Sequence, residues 1–127
     1  MKRPTAQWIL KAEEDWEGAR DLATRRPPLR NLACFHCQQA AEKYLKALLQ
    51  EEGAVVPRTH NLRDVLNLLL PSDPTLAPLW KGLRTLSRYA VEYRYPGITA
   101  TQKQMETALR QVERIRNEVR QRLSLPI

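Results

Sequence analysis

The chain has 127 residues, 43% of them hydrophobic, enough for one domain with a core that needs no disulfide or metal support. A formal net charge of +7, from 21 Lys and Arg against 14 Asp and Glu, requires a basic surface somewhere and makes anionic partners plausible. No apolar run approaches the roughly 20 residues that span a bilayer, and the opening MKRPTAQWILKAEEDWEG reaches acidic residues after a short apolar patch, so a soluble cytoplasmic protein with no membrane partner is expected.

Apolar positions recur at helical spacing between proline-rich breaks, and no stretch alternates with the period of a strand, so the expected class is all-α. The first helix is predicted over about 5–25, with Trp8, Ala12, Trp16, Ala19 and Ala23 on one face and Arg26-Pro27-Pro28 as its stop. The second is predicted over about 31–52, ending at Gly53, a residue suited to a left-handed cap. On it Ala33, Cys37, Ala40, Ala41, Tyr44, Leu45, Ala47, Leu48 and Leu49 cover an arc of roughly 200°, about twice the stripe of a one-sided helix. Such a helix is packed from two directions, either at the centre of a bundle or with one flank against a second copy of the chain. His36, Gln39, Lys43 and Lys46 line the opposite edge.

A loop over Ala54 to Thr59 precedes a short helix that begins near His60, with Asn61 suited to cap it, and ends near Leu70. Pro71, Pro74 and Pro78 punctuate the way to a fourth helix over about 76–93, with Leu79, Leu83, Leu86 and Ala90 inward and Lys81, Arg84 and Arg88 on an outer row. Tyr95-Pro96-Gly97 closes it. The last helix, about 101–123, carries Met105, Ala108, Val112, Ile115, Val119 and Leu123 at steps of three and four, the seam of a bundle. The expected architecture is an up-and-down antiparallel four-helix bundle with an additional short helix bridging one end, forming a single domain over residues 1–127.

Cys34, His36 and Cys37 supply only three potential metal ligands, no second pair follows at zinc spacing, and Cys37 faces the apolar arc, so buried thiols and no metal are expected. The four glycines are scattered at 18, 53, 82 and 97, so no phosphate-gripping loop exists, and no paired carboxylates would hold catalytic magnesium. No cofactor and no complete active site are expected; catalysis on nucleotides would fall to a partner subunit. What remains are binding candidates. His36, Gln39, Lys43 and Lys46 form one stripe, and Arg84 and Arg88, one turn apart, can follow phosphates. His60 is expected to hydrogen-bond around the end of its loop.

Three blocks carry a family likeness: Trp16-Glu17-Gly18-Ala19-Arg20-Asp21-Leu22-Ala23; the run from Cys34 to Leu49, CFHCQQAAEKYLKALL, followed by Thr59-His60-Asn61-Leu62; and Tyr93-Arg94-Tyr95-Pro96-Gly97. In order and spacing they resemble the HEPN domain (higher eukaryotes and prokaryotes nucleotide-binding) in its small stand-alone prokaryotic form. The resemblance implies an all-α bundle that commonly dimerises, is often encoded beside a minimal nucleotidyltransferase, and sometimes acts within a toxin–antitoxin pair. It adds Arg94 and Tyr95, at the Pro-Gly corner, to the binding candidates.

Ribonuclease members of that family carry an Arg followed four to six residues later by a His in the later part of the bundle. Neither Arg88 nor Arg94 has a His downstream, and Arg30 and His36, which do show the spacing, sit at the start of the second helix instead. The expectation is therefore a homodimeric nucleotide- or RNA-binding accessory protein with a minimal nucleotidyltransferase partner. The alternatives are a metal-independent RNase toxin using an unconventional base, for which His36 is the best local candidate, and a structural interaction module that binds no nucleic acid.

Overall fold

The computed structural model describes residues 1–127 and contains helices only. Helix α1 (Arg3–Thr24) has Pro4 in its first turn, where a missing N–H costs nothing. Helix α2 (Arg30–Glu51) ends where Gly53 takes φ 79°, and the Ala54 N–H returns to the Leu49 carbonyl at 3.1 Å. Helix α3 (Leu62–Leu69) starts on Asn61, whose side-chain oxygen accepts the N–H groups of Arg63 and Asp64 at 2.9 and 3.2 Å.

The expected fourth helix is divided. Pro74–Leu79 forms a 3-10 turn and only Trp80–Glu92 is α-helical (α4), because Pro78 can neither donate an N–H nor sit inside an α-helix without a clash. Helix α5 (Gln102–Arg122) opens on a reciprocal cap: Thr101 Oγ1 accepts the Gln104 N–H at 3.1 Å, and Gln104 Oε1 accepts the Thr101 N–H at 2.9 Å.

Polar contacts fix the directions. Lys2 and Thr5 donate to Glu51 and Asp15 meets Lys43, so α1 and α2 are antiparallel. The Arg30 guanidinium donates to the Ala100 carbonyl at 2.6 Å, and Asn31 accepts from the Ala100 N–H at 2.8 Å, so the start of α2 lies beside the start of α5. These two helices run parallel through the middle, with α1 and α4 flanking them in the opposite sense.

Helix α2 packs against every other helix. Its whole apolar arc, from Ala33 to Leu49, is buried by helices of the same chain. Of the two explanations for that arc, the central position in the bundle therefore accounts for it, and a second copy is not needed to cover it. Leu79, Leu83 and Leu86 of the fourth segment and Met105, Ala108, Val112, Ile115 and Val119 of α5 complete the core, while Ala90 and Leu123 sit at its rim. Each fully buried leucine contributes about 1.5–3 kcal/mol relative to exposure.

The short helix differs from its expected place. The loop after α2 doubles back until the His60 carbonyl meets Gln38 Nε2 at 3.5 Å, and α3 then climbs along the second half of α2 to Ser72, whose hydroxyl donates to Glu52 at 2.5 Å. Rather than bridging an end, α3 packs on α2 and α4, because Leu62, Val65, Leu66 and Leu69 need a partner along their whole length.

Candidate functional site

The stripe His36, Gln39, Lys43 and Lys46 does lie along α2, but the fold does not gather it into one concavity. His36 Nδ1 bonds Asp15 of α1 at 2.9 Å, and Lys43 Nζ donates to the other oxygen of the same carboxylate at 2.5 Å. Asp15 is 13% exposed, so both side chains are fixed to the α1–α2 seam. Lys46 turns the other way: it is buried, donates to Glu42 at 3.1 Å, and holds its ammonium 5.7 Å from the Trp8 ring centre. Of the four, Gln39 alone reaches an open groove.

That groove, about 700 Å³ in volume, lies between α2, the start of α3 and α4. Its floor is Phe35, Gln38 and Gln39; one wall is His60, Asn61 and Arg63, and the other is Trp80, Ser87, Val91 and Arg94. The Arg63 guanidinium sits 5.4 Å from the Trp80 ring centre, which holds a cation at the rim. Cationic groups stand on both walls, and no carboxylate lines the surface. Such an interior attracts anions and offers amides, a hydroxyl and aromatic rings for a nucleobase or ribose.

His60 is the most singular group in it. The ring is 78% exposed, yet Nδ1 lies 3.1 Å from Glu42 Oε1 and 3.2 Å from Oε2 of a carboxylate that is only 4% exposed. Lys46 holds that carboxylate from the opposite side, so a buried Lys46–Glu42 pair anchors an exposed imidazole. The expected bonding around the loop end is present, and its partner is a side chain of α2.

The other candidates stand apart. Arg84 and Arg88 are exposed on α4 outside the groove lining, and Arg88 reaches Glu92 at 3.6 Å. Tyr95 is 62% exposed in the turn after α4, and it does not line the groove that Arg94 lines. Arg30 is committed to the Ala100 carbonyl, and His36 to Asp15, so the spacing Arg-x5-His assembles no site. Cys34 and Cys37 are free buried thiols, with desolvation pushing Cys34 up to about 11 and Cys37 higher still, which makes both poor nucleophiles.

A family model described as HEPN domain matches residues 5–122. The chain belongs to the HEPN domain family. Its helices superpose on the crystal structure of TT1696 from Thermus thermophilus with a TM-score of 0.81 at 25% identity, covering 94% of this chain and 98% of that one. ST0689, described as an archaeal HEPN homologue, gives a TM-score of 0.70 at 28% identity, covering 96% and 98%. No curated protein matches the sequence. Membership ties the fold to a family generally related to nucleotides and RNA, and HEPN domains often dimerise. No helix of this one is long and apolar enough to cross a membrane.

Several groove residues of this HEPN domain escape a reading by helix faces. Phe35 and Gln38 on α2, Asn61 and Arg63 at the start of α3, and Trp80, Ser87 and Val91 on α4 are spaced helically within each element, but nothing local shows that the three elements meet. A signal was present in Thr59-His60-Asn61, where an imidazole immediately precedes a helix cap, but its partner Glu42 is 18 residues away.

Proposed function

We propose that this HEPN domain is a nucleotide- or RNA-binding accessory protein that seats its ligand in the groove between α2, α3 and α4. The observation that carries the reading is the composition of that groove: His60, Arg63 and Arg94 on its walls, Phe35 and Trp80 among its rings, and no acid in its lining. Lys81, Arg84 and Arg88 on the outer row of α4 extend the positive field along which a strand approaches.

The protein acts as a homodimer beside a minimal nucleotidyltransferase, within a toxin–antitoxin pair. Support for the dimer comes from the habit of the family and from apolar groups left uncovered outside the groove: Leu32 and Ile98 are 43% and 44% exposed. Support for the partner is the absence from this groove of paired carboxylates for metal-assisted phosphoryl transfer, which leaves such chemistry to another subunit.

Fluorescence anisotropy with a short single-stranded oligoribonucleotide tests the groove. Arg63→Ala and Arg94→Ala are each expected to weaken binding roughly tenfold, the loss of one charge-assisted contact, while melting stays within about 0.5 kcal/mol of the parent. Unchanged affinity in both variants refutes the groove as the binding surface.

A further inference from the structure

The Lys46–Glu42–His60 chain has a feature that a purely structural bond does not require. A buried carboxylate needs partners, and Lys46 already gives Glu42 one at 3.1 Å. The second partner is an imidazole whose remaining surface opens into the groove. With Nδ1 turned to Glu42, Nε2 lies on the opposite edge of the ring, and the bond to Glu42 keeps the ring from rotating away. Arg63 on the same wall and Arg94 across the groove are the cations of the lining.

We propose that this groove holds a terminal phosphate monoester, the end group of a nucleotide or of a short RNA strand, with His60 Nε2, Arg63 and Arg94 as its contacts. Glu42, itself held by Lys46, is the positioning residue for the imidazole. The inference rests on the groove being the ligand site proposed above and narrows what that site recognises.

The choice of a monoester over an internal diester follows from charge and valence. A terminal phosphate carries close to two negative charges near neutral pH and presents three acceptor oxygens, whereas a diester linkage carries one charge and two free oxygens. Two guanidinium forks and an imidazole nitrogen match the former. A carboxylate in the lining would oppose a dianion, and there is none.

His60 bonds Glu42, which Lys46 holds, and it shares the groove lining with Arg63 and Arg94. Among the acids Glu42 alone bonds the ring; Asp64 is exposed in the first turn of α3 and lies outside the groove lining. An imidazole held at Nδ1 by Glu42 has its second ring nitrogen left as the contact point for a phosphate oxygen.

The test compares one short oligoribonucleotide with a 5′-phosphate, a 3′-phosphate or hydroxyls at both ends, by anisotropy at one near-neutral pH. A phosphorylated end is expected to bind roughly tenfold tighter than the unphosphorylated strand. His60→Gln, on an exposed ring, should erase the advantage while melting is unchanged. Glu42→Gln, with folding checked by circular dichroism, should reduce the advantage while the hydroxyl-ended strand binds as before, which a role confined to packing would not do. Equal binding of all three strands, or an advantage retained in His60→Gln, overturns the monoester inference and leaves the groove reading standing; binding of none overturns both.

Discussion

Each histidine of the chain bonds a carboxylate that also holds a lysine, and the two clusters behave differently. Around Asp15, His36 and Lys43 are 30% and 25% exposed, and all three groups close the seam between α1 and α2. Around Glu42, Lys46 is buried but His60 is 78% exposed and fronts a groove. A carboxylate shared by an imidazole and an ammonium is common to both. What separates a staple from a candidate site is whether the imidazole has open volume on the side away from its carboxylate.

The comparison can be broken most forcefully at Glu42. Replacing it with Ala leaves Lys46 as an unpaired charge in the interior, and a loss of about 3–5 kcal/mol in urea unfolding is expected. A loss below about 1 kcal/mol would mean that the Lys46 ammonium escapes to solvent and that the pair does not anchor His60. Asp15→Ala should cost less, about 1–3 kcal/mol, because His36 and Lys43 are partly solvated and can rehydrate. The same variant should bind RNA as the parent does; weakened binding with an intact fold would place the α1–α2 seam in the site and erase the distinction.

A third carboxylate cluster, without histidine, sharpens the comparison at its weak end. Asp73 caps the 3-10 turn and accepts from Arg122 of α5 at 2.7 Å. Hydrogen bonds from Thr75 and then Arg122 hold its carboxyl below the usual carboxylate range. A folded value lower than the unfolded one makes the contribution complete above the ordinary carboxylate range and lost as pH falls through the depressed value. With Asp73 32% exposed, the effect should stay under about 1 kcal/mol. Thermal melts of Asp73→Asn should lose that part of the acid-side decline, and a decline identical to the parent's would detach Asp73 from acid stability.

How far the sequence could be read depended on range. Ala12 and Ala19, Leu83 and Leu86, and the α5 seam from Met105 to Val119 lie buried where helical periodicity put them, because burial of one helix face is a local property of spacing. Asn61 caps α3 and Gly53 ends α2 for equally local reasons. Lys46 shows where helical periodicity stops deciding burial. Its position on the polar edge is correct by angle, but α1 and the returning loop cover that edge and turn a surface lysine into a buried one.

The amino-acid order alone settles the helices, their caps, the apolar seams and the family likeness, since each depends on residues within a few turns of one another. Which polar side chains hold helices together and which face open volume is decided only by the packed chain. Asp15 and His36, or Glu42 and His60, meet across 21 and 18 residues of sequence, and no helical period encodes a contact made between different helices or between a helix and a returning loop.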